Sequence, residues 1–115
     1  MEQQIQAKGA DVAPRITVAD VEANIASEHY GTADHLGDLG LIKCGSDERP
    51  QSLSLLTICV LVLKNGFTVT GESACASPEN FNADIGRQVA RANAINKIWP
   101  LMGYELRSKL EAGRG

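Results

Sequence analysis

The 115-residue sequence predicts a single small α+β domain in which an antiparallel β-hairpin packs on helices, in the order α-β-β-α-α. Two patterns lead to this prediction. A β-branched run at residues 55–63 is followed by Asn65-Gly66 and a second run rich in threonine and valine, as in a hairpin. Apolar residues then recur every three or four positions between Ile85 and Trp99, which is the spacing of an amphipathic helix.

The N-terminal part of the chain predicts a tail, a helix and a long loop. Residues 1–15 are polar and aperiodic, so we expect a disordered tail before a domain that spans residues 16–111 and ends in a frayed tail at 112–115. Thr17 and Asp20 form a capping-box pattern that starts a helix, and Gly31 ends that helix near Tyr30. Residues 31–52 contain four glycines and a proline, which favours a flexible loop.

Asn65-Gly66 predicts a two-residue type I′ turn, which places Lys64 opposite Phe67. In this register one face of the hairpin is a core face, made of Ile58, Val60, Val62, Phe67 and Val69. The other face is apolar on the first strand and polar on the second. Its predicted interface residues are Leu61, Leu63, Thr68 and Thr70.

The sequence offers no third strong strand, and an isolated hairpin is marginally stable in water. We therefore expect a second subunit to complete or cover the sheet, in a homo-oligomer that is a dimer or higher.

The main helix has two candidate caps. Ser77 followed by Pro78 suits a helix start, and Asn82 is the competing cap one turn later. One apolar side is predicted to contain Ile85, Val89, Ala92, Ile95 and Trp99. Pro100 predicts that this helix ends at Trp99 and that a short final helix follows.

Composition excludes several classes of protein. No apolar run reaches the roughly 18–20 residues of a membrane span, and the N-terminus lacks the pattern of a signal peptide, so we expect the cytoplasm. Three cysteines without a C-x-x-C pair predict reduced thiols. Residues 1–80 carry five basic and eleven acidic side chains, whereas residues 81–115 carry six and three. This basic C-terminal part lacks a dense basic surface and a recognisable nucleic-acid-binding element, so we expect no nucleic-acid partner.

Candidate ligand-binding residues lie on and before the main helix. Arg87 and Arg91 are one turn apart and could clamp a phosphate or carboxylate, although Arg87 could equally pair with Asp84. Trp99 is a core anchor, an interface residue or a surface on which a base stacks. Ser77 stands where helix N-terminal amides could hold an anion, the alternative being a capped helix with solvated acidic residues. Asn80 belongs to a helix that is richer in amide side chains than helix propensity favours, which indicates contacts beyond helix formation.

The sequence contains no nucleophile-base set and no recognised catalytic motif, so we expect neither an enzyme nor a cofactor. His29, His35 and Cys44 have no structural zinc spacing, so we expect no metal site.

Two segments carry a resemblance to a known family: ITVADVEANIASEHY, and KNGFTVTGESACASPENFNADIGRQVARANAINKIWPLMGYELRSKL near the C-terminus. They resemble a family of small tailed-phage proteins named after the gene 49 and gene 66 products of two phages. The resemblance covers about two-thirds of the chain. It implies a phage or prophage gene expressed in the bacterial cytoplasm, and it assigns no activity and no catalytic residue.

Two functional hypotheses follow from the resemblance and the residues together. In the first, a non-enzymatic phage accessory protein engages a host protein through its sheet face or its Gly-rich loop and alters host metabolism or defence. In the second, an oligomeric sponge sequesters a small anionic metabolite, such as a signalling nucleotide, with Arg87, Arg91 and Trp99.

Overall fold

The structure, a computed structural model, describes residues 13–35 and 50–113. Its elements are α1 (Val18–Ala23), β1 (Ile25–Thr32), β2 (Leu56–Leu63), β3 (Thr68–Ala74) and α2 (Ala83–Ala112), with short 3-10 helices at Gln51–Leu55 and Pro78–Asn80. The strands form an antiparallel sheet in the order β1-β2-β3. A small α+β domain with a hairpin packed on a helix is therefore confirmed. Residues 36–49, most of the predicted loop, and the tail residues 1–12 lie outside the described part.

The predicted capping box starts α1. Thr17 Oγ1 accepts a hydrogen bond from the Asp20 amide at 3.1 Å, and the Thr17 amide donates to Asp20 Oδ2 at 2.9 Å. The helix ends at Ala23, however, and the residues predicted to continue it form β1. Two predictions were wrong here, the helix up to Tyr30 and the lack of a third strand. Pairing with the apolar strand β2 outweighs the weak helix preference of this segment.

The hairpin lies where the sequence predicts it, but its register is shifted by one residue. The Leu63 amide donates to the Phe67 carbonyl at 2.8 Å, and the Gly66 amide donates to the Leu63 carbonyl at 2.9 Å. Gly66 has a φ of 90°, whereas no described non-glycine residue has a positive φ. The connection is therefore a type I turn followed by a glycine bulge, with three loop residues instead of two.

Because of this one-residue shift, the face of the hairpin that was predicted to be buried is the outer face, and the other face is buried. Leu61 pairs with Val69, so both side chains lie on the side of the sheet that faces α2. Leu61 is 0% exposed and Leu63 is 4% exposed. The prediction that Ile58, Val60 and Val62 form the core face was therefore wrong, because these side chains point away from α2.

The long helix α2 begins at the competing cap, Asn82, whose Oδ1 accepts from the Ile85 amide at 3.1 Å. Ser77 and Pro78 start only the preceding 3-10 helix. The predicted break at Pro100 is wrong, since α2 continues to Ala112. Pro100 has no amide hydrogen, so the carbonyl of Asn96 lacks its helical hydrogen-bond donor. Both residues are exposed, and water can therefore donate to that carbonyl.

Small residues allow α2 to lie close against the sheet. Its buried positions are spaced by four, at Gly86, Ala90, Ala94 and Ile98. A Cβ built on Gly71 of β3 would lie 2.1 Å from the Ala90 carbonyl oxygen, so the two backbones touch at this point. The prediction that Ile85 and Val89 belong to the packed side was wrong, since their exposures are 58% and 42%.

Candidate functional site

Arg91 is held between two carboxylates. Its Nε and Nη2 donate to the two carboxylate oxygens of Glu28 at 3.1 and 3.0 Å. Its Nη1 and Nη2 donate to those of Glu22 at 3.1 and 2.7 Å. Since the guanidinium makes a bidentate contact to each partner, this ion pair network joins α1, β1 and α2. Arg91, predicted as a ligand clamp, is thus engaged within the chain.

Tyr30 of β1 also belongs to this network. Its hydroxyl donates to Glu28 Oε1 at 2.7 Å. Hydrogen bonds from Arg91 hold the pKa values of Glu22 and Glu28 below their usual range, and the Tyr30 hydroxyl adds to the effect on Glu28. Burial, followed by the hydrogen bond to Glu28, raises the pKa of Tyr30. Both carboxyl groups therefore stay ionised to a lower pH than a free glutamate does.

Replacing Arg91 by glutamine is expected to lower the free energy of unfolding at pH 7 by about 1–2 kcal/mol. The contact with Glu22 contributes the smaller part of this loss, because water screens the charge interaction there. Because the folded-state pKa values of Glu22 and Glu28 are depressed, their contribution is complete above the unfolded value of about 4.3 and is lost as the pH falls through the folded values. Urea unfolding from pH 7 to pH 3 should show the difference between wild type and Arg91→Gln shrinking below about pH 4.3.

The matched control for this prediction is Arg107→Gln. Arg107 pairs with Glu111 on the same helix at 3.0 Å, and both side chains are 63% exposed. Its replacement should cost less than about 0.5 kcal/mol. A pH-independent difference between wild type and Arg91→Gln would contradict the role given to the network.

The other predicted arginine, Arg87, lies beside a cavity at the start of α2. The side chain pairs with Asp84 one turn earlier, and the two side chains are 45% and 78% exposed. The cavity measures about 440 Å³, less than the groove of about 690 Å³ between α1 and the C-terminal part of α2. It is called the larger cavity below because it exceeds the second cavity at the start of this helix. Its walls include Tyr30, Thr32, His35, Thr57, Phe81 and Arg87. Of the two predicted clamp residues, Arg87 therefore borders this cavity, whereas Arg91 is not among the described residues that line it.

A second cavity of about 170 Å³ lies on the other side of the same helix start. Asn80, one of the predicted ligand-binding residues, lines it together with Asn82 and Cys75. Thr57 and Phe81 line both cavities. Ser77, also predicted, places its hydroxyl on the carboxylate of Glu79 and lines neither of these two cavities.

Thr57 is the unusual residue between the two cavities. It is 3% exposed, and its Oγ1 has no hydrogen-bond partner in the described part of the chain. A Cβ on Gly86 would lie 2.7 Å from this oxygen, so the hydroxyl lies in the narrow layer between β2 and α2. An unpaired buried hydroxyl costs free energy, and such groups in native proteins call for an explanation.

Among the described residues, the sheet side opposite α2 has an apolar row that lies outside the core cluster formed with α1 and α2, and this side is called the open sheet face below. It consists of Leu56, Ile58, Val60 and Val62 of β2, each partly exposed. The flanking strands place polar residues beside this row. They are Ser27 and His29 on β1, and Thr68, Thr70 and Glu72 on β3. The β2 residues of the core cluster all come from the opposite side of the strand.

The remaining predicted residues divide between the core and the surface of the sheet. Leu61 and Leu63, expected at a subunit interface, are covered by α2 of the same chain. Thr70 Oγ1 lies 3.4 Å from Lys97 Nζ, and Thr68 is exposed. Trp99 packs against the core cluster, which is the structural alternative considered for it. The sequence analysis did not identify Thr57, Tyr30 and Phe81 as residues of a candidate site. Of these three, only Thr57 is recognisable in the sequence, as a polar residue within an apolar strand.

No three potential metal ligands converge among residues 13–35 and 50–113. Cys44 of the considered histidine and cysteine set lies outside those ranges, and Cys59 and Cys75 are free thiols. Helices long and apolar enough to cross a membrane are likewise missing from the described ranges.

The sequence matches a known family of proteins. A family model described as the phage protein (N4 Gp49/phage Sf6 gene 66) family matches residues 16–110, from the cap of α1 to the last turn of α2. Neither a curated protein nor a solved structure matches the chain.

Proposed function

The chain belongs to the N4 Gp49/phage Sf6 gene 66 family of phage proteins, and on this basis we propose that it is a non-enzymatic accessory protein that acts by binding. The partner proposed first is a host protein of the bacterial cytoplasm whose activity in metabolism or defence the phage alters. The open sheet face is the surface proposed for that contact.

The observation that carries this proposal is the apolar row on the central strand. Val60 pairs with His29 on one side and Thr70 on the other, so an apolar centre is bordered by polar side chains. Protein interfaces have this arrangement, with an apolar core and a polar rim. A connected apolar surface on a small domain commonly marks an interaction site.

Site-specific photo-crosslinking in the bacterial host tests the proposal. A photoreactive benzoylphenylalanine at Val60 should give a covalent adduct with one host polypeptide, because this position lies at the centre of the proposed contact. The same residue at Arg107, on an exposed part of α2, is the control and should give no such adduct. Equal labelling from both positions, or none from Val60, would contradict the proposal.

The double substitution Val60→Thr/Val62→Thr should weaken capture of that polypeptide about tenfold or more. Each change replaces a methyl group by a hydroxyl in the proposed interface and keeps the β-branched shape that suits a strand. The matched control is Ile85→Thr/Val89→Thr, which makes similar changes at exposed positions of α2. Unchanged capture by the Val60/Val62 variant would exclude this face as the contact.

We also propose that the open sheet face, in place of Leu61 and Leu63, is where a homo-oligomer would form. Sedimentation velocity at micromolar concentration tests this, since a dimer should dissociate in the Val60→Thr/Val62→Thr variant. A stable wild-type monomer would contradict the proposal of a homo-oligomer. A crosslink between two copies from position 60 would instead favour the second copy over the host protein.

As a second candidate function, we propose that the protein sequesters a small anionic metabolite such as a signalling nucleotide. One observation favours it, namely that Arg87 and the aromatic side chains of Tyr30 and Phe81 all line the larger cavity. Arg91 and Trp99 no longer support this candidate, because the first is bound by two carboxylates and the second packs on the core. The candidate predicts that at least one ribonucleoside 5′-monophosphate raises the melting temperature of the protein, and no shift with any of them would contradict it.

A further inference from the structure

The outer side of α2, which points away from the sheet, carries a regular apolar pattern. Its members recur at alternating spacings of four and three residues, which is the heptad spacing of helices that pair in a coiled coil. All are apolar or small except an asparagine near the middle. These residues, called the heptad row below, are Ile85, Val89, Ala92, Asn96, Trp99, Gly103, Leu106 and Leu110.

The heptad row is separate from the side of α2 that packs on the sheet. The buried residues of α2 are spaced by four and lie on the opposite side of the helix. In the heptad row, Trp99 and Leu106 are partly buried and the other members are exposed. Ile85, Val89 and Leu110 have exposures of 58%, 42% and 39%. Large apolar side chains aligned at such exposures mark a contact surface.

A second copy of α2 matches this row when the two helices run antiparallel. Each residue near the start of one helix then lies opposite a residue near the end of the other, and a two-fold axis repeats every contact. Placing the polar member opposite the aromatic one brings the whole row into register. The facing pairs are Ile85 with Leu110, Val89 with Leu106, Ala92 with Gly103, and Asn96 with Trp99.

These pairs match in size and in polarity. The two outer pairs join branched aliphatic side chains, which are the usual filling of a coiled-coil seam. Ala92 opposite Gly103 lets the two helices approach closely, because neither side chain is large. The indole N–H of Trp99 can donate to the side-chain carbonyl of Asn96 in the second copy. The polar member of the row therefore gains a partner from the second copy.

Charge favours antiparallel over parallel helices. The charged residues in the positions directly beside the row are Arg107 and Lys109, which also pair with glutamates of their own helix. Parallel helices would bring both cations of each copy to the same end. In the antiparallel pair they lie at opposite ends, beside the uncharged Gly86 and Gln88 of the second copy. Antiparallel helices also place opposite ends of their macrodipoles side by side.

The length of the row gives the area that a stable dimer needs. From residue 85 to residue 110 the helix rises about 38 Å, at 1.5 Å per residue. Covering about a third of the circumference over this length removes on the order of 500–600 Å² of accessible surface per copy. The total is roughly 1,000–1,200 Å², and specific interfaces begin at about 1,000 Å².

From these observations we infer that α2 binds α2 of a second copy of this chain as an antiparallel two-helix coiled coil. The contact lies on the outer side of α2, and the open sheet face lies on the opposite side of the sheet. A dimer joined through α2 therefore leaves both open sheet faces accessible to a host polypeptide. Two binding surfaces in one assembly raise the effective affinity for a partner that can reach both.

Cysteine crosslinking tests the contact and its direction. In a protein with Cys44→Ser and Cys75→Ser, the variants Ala92→Cys and Gly103→Cys are made separately and mixed before oxidation, while Cys59 stays because it is buried. The mixture should form a disulfide-linked dimer. Each variant alone should form much less, since its two cysteines would lie about 16 Å apart along the helices.

The control mixture contains Arg87→Cys and Ser108→Cys, which lie at matching heights of the antiparallel pair but outside the row. It should give no disulfide-linked dimer. Equal crosslinking of Ala92→Cys or Gly103→Cys alone would indicate parallel helices and overturn the register. No crosslink in the Ala92→Cys and Gly103→Cys mixture would overturn the contact.

Sedimentation velocity at micromolar concentration measures the strength of the contact. The wild-type protein should be at least a dimer, and Ile85→Thr/Val89→Thr should raise the dissociation constant of the α2 contact at least tenfold. Both residues are exposed within one chain, so the circular dichroism spectrum of this variant should match that of wild type. A wild-type monomer, or an unchanged dissociation constant in the variant, would overturn the inference.

The variants keep this inference distinguishable from the proposed function. Ile85→Thr/Val89→Thr should still crosslink to the host polypeptide from position 60. Val60→Thr/Val62→Thr should lose any contact through the open sheet face and retain the α2 dimer. A monomeric Val60→Thr/Val62→Thr variant would overturn the α2 contact and leave the open sheet face as the place of assembly.

Discussion

Gly71→Ala is expected to lower the free energy of unfolding by about 3–5 kcal/mol, enough to prevent stable folding of a small domain. The added Cβ would lie 2.1 Å from the Ala90 carbonyl oxygen and 2.3 Å from the Ala94 amide nitrogen. Both atoms belong to the α2 backbone, so no side chain can rotate away. The helix would have to separate from β3, which would open the core along its whole contact. Urea unfolding followed by circular dichroism measures the effect.

Gly103→Ala is the matched control for this prediction. Gly103 lies inside α2, and a Cβ built on it meets no atom within 4 Å. Alanine favours a helix interior over glycine, so this variant should gain about 0.5–1 kcal/mol. If Gly71→Ala unfolds at the same urea concentration as wild type, the close approach of β3 and α2 does not exist in solution.

The second large effect is expected from Leu61→Ala, at about 3 kcal/mol. Leu61 is 0% exposed and lies in the cluster that joins β2 to Ala90, Ala94 and Ile98. Truncating it removes buried methyl groups and leaves a cavity that the closely packed helix cannot fill.

Val62→Ala tests whether the register is right. Val62 is the next residue of the same strand but points to the open sheet face, so its truncation should cost about 1 kcal/mol or less. The two-residue turn predicted from Asn65-Gly66 would reverse this order. Equilibrium unfolding in which Val62→Ala is the more destabilised variant would therefore contradict the three-residue loop.

The local elements could be predicted because short-range chemistry determines them. Thr17 and Asp20 sit three residues apart and form the predicted capping box. Asn82 is a good cap at the residue where α2 begins. The hairpin position followed from Asn65-Gly66, but its turn type did not. That dipeptide is compatible with both a two-residue and a three-residue loop, and the choice reverses which face is buried.

Long-range contacts explain what could not be predicted. Strand β1 exists because it pairs with β2, which is some thirty positions further along the sequence. Arg91 was identified as a candidate by its helical spacing, but its partners Glu22 and Glu28 are 69 and 63 residues away. The cavity walls combine Tyr30, Thr57 and Phe81 from three separate segments, and no local pattern connects them.

Native mass spectrometry of the protein purified from phage-infected cells shows directly whether the chain binds a host protein. The wild-type chain is expected to carry the mass of a host polypeptide. Val60→Thr/Val62→Thr should lose that mass, and Thr57→Val should retain it. A wild-type chain with no bound polypeptide, or one whose bound mass persists in the Val60→Thr/Val62→Thr variant, would contradict the account.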